Sequence, residues 1–378
     1  MNILVLTHSY PDQIQRWRGI FVMEQVRALS AIHNVTVVYF KVDYSHSAPF
    51  SDYSFSKKEI GSVTEYEVTI IKSFPVITQI KYLAGTYRFI KNEILTRKKI
   101  DIIHSHLSYP GGFLGVIIQQ KLKIPNVLTE HSRIKSYFRS WFHKQCVKYA
   151  LRNTASLISV SSILGEEINS FCHRQVTVIH NIVDIDKFEL KKNRPGEIIN
   201  IGFLGSLKNN NKGLDLLLKS VSLLKRRDFI LHIGGDGELL NNFKKMAKDL
   251  DIESECNFYG EITPNEIADF YSKLDLFVLP SRSETFGIVL IEAMACGIPV
   301  IATRCGGPQE IVTPSTGILV QTDNAEELRT AILSISQSIG SYSRETIRNY
   351  ANDNFGKETF VKRLSILYEE ILTGKSNE

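Results

Sequence analysis

Short runs rich in β-branched residues alternate with helix-patterned stretches almost throughout this chain, and the alternation occurs twice. In the first half the runs are NILVLTH, NVTVVYF, DIIHSHL, PNVLTEH, SLISVSS and VTVIHNI; in the second they are INIGFLGSL, FILHIGGDG, CNFYGEI, LDLFVLPS, PVIATRC and GILV. Strands separated by helices are joined by crossovers, which makes them parallel and buried on both faces. Each series therefore predicts a doubly wound α/β sheet. Between the two, the polar segment DIDKFELKKNRPGEI with its Pro195-Gly196 step reads as a linker.

The expected organisation is a first domain over 1–185, a linker over 186–198, a second domain over 199–355, and a terminal helix and tail over 356–378, with the two domains facing a cleft. Residues 43–75 break the rhythm and predict an inserted strand pair. Phe360, Leu364, Leu367 and Ile371 mark the apolar face of the last helix. With 378 residues, 43% of them apolar, either half can bury its own core.

Composition narrows the function classes. A net charge of +5 is too small to argue for nucleic acid. The five cysteines are scattered and form no CxxC pair, so neither a disulfide framework nor a zinc site is supported, and a reducing compartment fits best. No apolar run approaches the ~20 residues of a membrane span, and the N-terminal run Ile3–Leu6 is too short for a signal peptide. A soluble, cytoplasmic protein is expected, one that can rest on the inner face of a membrane.

In doubly wound sheets ligands bind beyond the carboxyl ends of the strands, so glycines and polar residues at strand exits carry the most weight. The segment SRSETFGIVLIEAMACGIPV, residues 281–300, is the most informative. A strand exits into a polar turn, Phe286-Gly287 opens an apolar helix, and Gly297 and Pro299 close it. At about 100° per residue Glu284 and Glu292 cannot share a face of one continuous helix. As one loop residue and one helix residue they can reach one ligand. Apolar neighbours surround Glu292, which predicts a buried carboxylate in need of a basic partner or of ligand hydroxyls such as a ribose diol.

Glu284 and Glu292 form an E-x7-E motif, and the wording around it resembles glycosyltransferase family four. Similar blocks occur in family order over about residues 1–320: RGIFVMEQVRAL (18–29), DIIHSHL (101–107), VLTEHS (127–132), VIHNIVDIDKF (178–188), FLGSLKNNNKGLDLLL (203–218), IGGDGELL (233–240) and CGGPQEIV (305–312). The resemblance implies a GT-B architecture of two Rossmann-like domains and a retaining hexosyltransferase-type enzyme. Such an enzyme moves a sugar from a nucleotide-sugar donor to a glycan or lipid-linked acceptor in bacterial surface polysaccharide synthesis, whether capsule or lipopolysaccharide.

It also implies roles residue by residue. Glu292 binds the ribose hydroxyls and Glu284 the hydroxyls of the donor sugar. The backbone N–H groups of Phe286, Gly287, Ile288 and Val289 meet the sugar and diphosphate at a helix N-terminus, where free donors and the dipole favour anions. Lys212 pairs with the diphosphate and stabilises the leaving charge. Tyr259 and Glu261 lie at the strand exit against the base, and Gly19 lets backbone approach the diphosphate. His106 sits beside the reacting sugar, with Glu130 and His131 on the acceptor side.

Two departures stand out. The family usually has arginine after the glycine of the phosphate loop, where this chain has Ser206, a hydrogen-bond donor without charge. It often has Asn-Gly before the linker, where this chain has Asn181-Ile182. No Asp-x-Asp pair occurs at a suitable strand exit, so no metal or other cofactor is expected. Retention without an enzyme nucleophile is the family's pattern, and the leaving phosphate is the base in the usual proposal.

Between Glu130 and Glu166 there is no acidic residue, whereas Arg133, Lys135, Arg139, Lys144, Lys148 and Arg152 occur there. On a helix over about 137–152, Lys144, Lys148 and Arg152 form one ridge and Phe138, Phe142 and Tyr149 another. This predicts either an aromatic core face with a solvated basic face, or a surface for anionic lipid or a pyrophosphate-linked acceptor. The competing functions are a GT-B epimerase or phosphorylase and a non-catalytic glycosyltransferase-like subunit. A nicotinamide oxidoreductase is disfavoured, because THSYPDQIQ stands where G-x-G-x-x-G would follow the first strand.

Overall fold

A computed structural model describes residues 1–12, 15–47, 53–72, 75–138, 140–190, 196–224 and 228–374. The chain forms two compact units, 1–180 together with 360–378, and 181–359.

The first unit is built on strands β1 (Asn2–Thr7), β2 (Asn34–Ser47), β3 (Ser54–Ile60), β4 (Val63–Lys72), β5 (Ile102–His106), β6 (Asn126–Glu130), β7 (Ser156–Ser159) and β8 (Thr177–Val178). They stand in the order β3-β4-β2-β1-β5-β6-β7-β8, parallel except for the β3–β4 pair. The apolar run of β1 lies between β2 and β5, and Ile3, Leu4, Val5 and Leu6 are wholly buried there. The inserted pair expected in 43–75 is β3 and β4, with β4 alongside β2 and β3 outermost. Every residue of β3 is exposed, and its Lys57, Lys58 and Glu59 put charge on a sheet edge that would otherwise pair with other strands.

The second unit carries β9 (Ile199–Leu204), β10 (Phe229–Gly234), β11 (Cys256–Gly260), β12 (Leu276–Leu279), β13 (Val300–Thr303) and β14 (Gly317–Val320). All pairings are parallel, in the order β11-β10-β9-β12-β13-β14. Winding reverses between β1 and β5 in one sheet and between β9 and β12 in the other. The exits of those strands are the places where side chains from two directions converge.

The first unit ends at His180, not at 185. Ile182 and Val183 are buried, and Val183 bridges to Gly356. Arg348 donates to the carbonyls of Ile185 (3.1 Å) and Phe188 (2.7 Å), and Lys357 pairs with Asp184 and Asp186, each at 2.8 Å. The start of the expected linker is thus tied to the second unit, while its residues 191–195 lie outside those described. The last helix, Lys357–Thr373, buries Phe360, Leu364 and Tyr368, and from Phe360 onward it belongs with the first unit. Leu367 and Ile371, expected on its apolar face, are only half-buried. Among the described residues no helix is long and apolar enough to cross a membrane.

Candidate functional site

In the second unit the exits of β9 and β12 are laced together. The loop after β9 ends in a short turn, Asn210–Lys212, and Gly213 then caps the helix Leu214–Ser222. Gly213 has φ +73°, and a Cβ there would run into the Pro280 carbonyl at the end of β12, so only glycine lets the loop lie this close. The Arg282 backbone N–H donates to the Asn211 carbonyl at 2.7 Å, and the Asn211 amide donates to the Ser283 carbonyl at 2.9 Å. The Arg282 guanidinium grips both Asp215 oxygens at 2.9 Å and reaches Asp323 at 2.8 Å.

This lacing brings Lys212 against Glu284, and the two form an ion pair. Glu284 is itself pinned by backbone: its N–H donates to the Cys305 carbonyl (3.4 Å) and its carbonyl accepts from Gly307 (3.0 Å). Two residues on, Phe286 is buried, and Gly287 at φ +107° opens the helix Ile288–Ala295, whose Ile288 and Val289 are half-buried. Ser206 is exposed and supplies no charge near the Lys212–Glu284 pair.

The burial expected of Glu292 needs correction. Leu290, Ile291, Ala293, Met294 and Ala295 are buried around it, but the carboxylate side is half-buried. It accepts from the Tyr271 hydroxyl, which is 2.9 Å from Oε2 and also 3.1 Å from the Val289 carbonyl. Burial, and then the Glu292 charge, hold the Tyr271 phenol well above its ordinary pKa, so it stays a donor. Sequence reasoning missed Tyr271, although it lies on the strand-to-helix return directly before β12. Asp215 and Arg282 were also missed, each a near neighbour of a residue that was singled out.

Tyr259 stacks on His232 (5.8 Å, 22°) and donates or accepts at its Nδ1 (2.8 Å), with the Lys273 ammonium 4.9 Å above the ring. His232 continues to Asn200 at 3.0 Å. The Tyr259 side chain therefore lies over the sheet face, and only backbone reaches the strand exit. Glu261 follows there, exposed.

In the first unit the neighbouring strands β5 and β6 hold a histidine stack at their carboxyl ends. His104 and His106 alternate outward to the same face of β5 and stack at 4.3 Å, and His106 stacks on His131 at 5.3 Å with Nδ1 3.0 Å from His131 Nε2. His104 is bonded through Nε2 to Thr129 (2.7 Å) and through Nδ1 to the Tyr368 hydroxyl (2.6 Å). Burial pushes His104 down to about 3, and burial with the two neighbouring imidazoles pushes His106 well below the ordinary range. Both rings are neutral at physiological pH. His131 also meets the Phe21 ring at 4.3 Å, from the helix Ile20–Leu29.

Gly19 caps that helix at φ +66°, and a Cβ there would strike the Ser9 carbonyl of the loop after β1. Glu130 is placed differently from an acceptor-facing group. It is wholly buried and accepts from Ser108 N–H (2.8 Å), the Ser108 hydroxyl, His131 N–H (2.9 Å), Ser132 N–H (2.9 Å) and the Tyr137 hydroxyl (3.0 Å). Burial raises its pKa and those hydrogen bonds oppose the rise. Its oxygens are occupied in shaping the loops that carry His106 and His131. Among the described residues no group of three or more His, Cys, Asp or Glu is arranged to hold a metal ion.

The helix expected over about 137–152 runs from Trp141 to Asn153, so Phe138 precedes it, while Arg139 lies outside the described residues. The aromatic ridge does not form a core: Phe138, Phe142 and Tyr149 are 37%, 46% and 38% exposed, and Trp141, outside the expected ridge, is 75% exposed.

Two doubly wound α/β units, each with polar side chains gathered at strand exits, are the architecture of a GT-B glycosyltransferase. Residues 19–187 match Glycosyltransferase Family 4 and residues 184–353 match Glycosyl transferases group 1. An uncharacterized glycosyltransferase of Methanocaldococcus jannaschii is 33% identical over 82% of this chain and 84% of its own length. The chain belongs to glycosyltransferase family four. A putative teichuronic acid biosynthesis glycosyltransferase of Bacillus subtilis is 26% identical over 88% of each chain. In fold, the chain is similar to the Anabaena protein HepE, solved in complex with UDP and glucose, with a TM-score of 0.75, 17% identity and coverage of 98% of this chain and 100% of that one.

Proposed function

We propose that this glycosyltransferase transfers a sugar, with retention, from a nucleotide-sugar donor to a hydroxyl of a glycan or lipid-linked acceptor, at the cytoplasmic face of a membrane and in the synthesis of cell-surface polysaccharide. The observation that carries the donor side is the Lys212–Glu284 pair at the β9–β12 crossover, a cation and a hydroxyl-binding carboxylate held side by side. Lys212 takes the diphosphate, and Glu284 turns to the sugar hydroxyls once its partner is engaged. Glu292 takes the ribose, and the N-terminus of the helix Ile288–Ala295 faces the phosphates. The bond from the anomeric carbon to the diphosphate oxygen breaks and one from that carbon to the acceptor oxygen forms on the same face. The acceptor proton goes to the departing phosphate, whose charge Lys212 stabilises. His106, a neutral imidazole, and His131 serve the sugar and acceptor side, and Glu130 sets their loops.

The HepE complex and the teichuronic acid relative support a nucleotide-sugar donor and a surface-polysaccharide product. The exposed aromatics beside Lys144, Lys148 and Arg152 support the membrane face. Thermal-shift screening of UDP-, GDP- and ADP-sugars tests the donor: a saturating ligand at 100 times its Kd stabilises by ~2.7 kcal/mol. Proton NMR of the product's anomeric coupling tests retention, and an inverted product overturns it. Nucleotide-sugar turnover that needs no acceptor would point to an epimerase or phosphorylase. Replacing Lys144, Lys148 and Arg152 together by glutamine should weaken sedimentation with anionic vesicles, at roughly 1 kcal/mol for each charge. Equal sedimentation of wild type and variant rejects the membrane face.

A further inference from the structure

Between the helices Phe113–Leu122 and Trp141–Asn153 lies an open groove of about 630 Å³. Its walls are mainly apolar, with Phe113 and Ile117 on one side and Phe142, Cys146 and Tyr149 on the other, and Gln145 and Asn153 add polar groups to the lining. Lys148 and Arg152 also line it. We infer that this groove seats one acyl chain of an anionic phospholipid, with the lipid phosphate on Lys148 and Arg152. The inference deepens the membrane-face reading and rests on it.

Three observations select this occupant. First, the field is one-signed. From residue 102 to 165 the only carboxylate is Glu130, which is wholly buried and fully hydrogen-bonded, and Glu167 pairs with Arg133 at 3.7 Å, away from the groove's own Lys148 and Arg152. Lys148 is half-buried at the groove, and among the described residues neither it nor Arg152 has an ion-pair partner. Arg174 adds positive charge at the end of the same helix, donating to the carbonyls of Leu151, Arg152 and Thr154.

Second, an apolar trough flanked by cations suits a chain with an anionic head, whereas an acidic peptide or a free phosphate leaves the trough empty. Third, Trp141 is three-quarters exposed at the start of the helix, and Tyr149 borders the groove with its hydroxyl on Gln120 (2.6 Å). An aromatic with one polar end is what a membrane interface accommodates.

The test separates seating from surface attraction. Short-chain phosphatidylglycerol, kept below its micellar concentration, is titrated calorimetrically into the full chain. One saturable site is expected. Glycerol phosphate and inorganic phosphate should bind at least about tenfold more weakly, and so should Lys148→Gln/Arg152→Gln toward the lipid. Ile117→Trp fills the trough from the opposite helix and touches no charge. It should lower affinity for the short-chain lipid at least about tenfold while still sedimenting with phosphatidylglycerol vesicles at low salt. Ile117→Gln, smaller but polar, serves if circular dichroism shows the tryptophan variant misfolded. Unchanged lipid affinity in a folded trough variant overturns the inference, as does glycerol phosphate binding as tightly as the lipid. Failure of wild type to sediment with phosphatidylglycerol vesicles would instead reject the membrane face itself.

Discussion

Lys212 and Glu284 stand 72 positions apart in the sequence and form an ion pair with one another at the crossover of the second sheet. Without a donor each charge is compensated by the other, and their side chains are only 27% and 12% exposed. On the proposed function, a diphosphate would displace Glu284 from Lys212 before gaining the full cation, and the displaced carboxylate would then be available for sugar hydroxyls. In that proposal, binding and positioning are linked through one exchange of partners.

That exchange separates the two glutamates. Glu284→Gln removes the competitor for Lys212, so affinity for the nucleoside diphosphate should stay at or above the wild-type value while turnover falls severely. Glu292→Gln should weaken both donor and nucleoside diphosphate by ~1.5–3 kcal/mol, the range for charged hydrogen bonds. Calorimetric titration of the diphosphate into each variant decides. The reverse pattern would reject the assignment, and equal losses would mean that both residues merely hold the loops.

Gly213→Ala should act on the same pair through the backbone. The left-handed φ of +73° and the Pro280 carbonyl both oppose a Cβ, and relief requires the Lys212 loop to lift off β12. A loss of at least about 2 kcal/mol in denaturant unfolding is expected, together with weaker diphosphate binding. A variant as stable as wild type would show that the loop is not held there.

Glu130 offers a contrast between burial and catalysis. Glu130→Leu strands the buried N–H groups of Ser108 and His131 and the neighbouring Ser132 N–H, and should cost at least about 3 kcal/mol of stability. Urea denaturation measures it. A loss below about 1 kcal/mol, with activity abolished, would assign Glu130 to the acceptor and not to the loops.

The histidine stack gives stability a pH dependence. His104 and His106 are held below the ~6.5 of an unfolded histidine, His104 at about 3. Between those values the unfolded chain binds more protons than the folded one, so stability is intact above about pH 6.5 and falls as pH is lowered. The slope is at most ~1.4 kcal/mol per pH unit for each histidine. Glu130, with its raised pKa, acts in the opposite sense above the ~4.3 of an unfolded carboxyl. Urea unfolding from pH 7 to 5 should show a shallower dependence in His104→Gln than in wild type. Parallel curves would mean that His104 stays protonatable in the fold.

Transfer should proceed with the diphosphate charge carried by Lys212 and the helix N-terminus, so activity should survive EDTA. Loss of activity with chelator and its recovery with Mg²⁺ or Mn²⁺ would place the charge on a cation instead.

The period of the apolar runs alone determined two doubly wound sheets and the strands in them, because alternation of strand and helix is a local property. The turn chemistry was legible for the same reason: Gly213 and Gly287 each start a helix where the pattern changes. Which distant residues touch was decided only by strand order. Placing β9 beside β12 brings Lys212 to Glu284 and Arg282 to Asp215, placing β2 between β1 and β4 brings Tyr10 to Glu65, and similar apolar strands do not announce their neighbours. Burial was undecided for a related reason. Glu130 lies under five donors and Glu292 is half-open beside Tyr271, although the residues flanking Glu292 look the more apolar. On the helix Trp141–Asn153 periodicity showed two ridges but not which one faces inward. Packing within the first unit buries Val147, Ala150 and Leu151 and leaves Phe142 and Tyr149 lining an open groove beside Phe113–Leu122, because the contact depends on the neighbours' surfaces as well as the helix's own pattern.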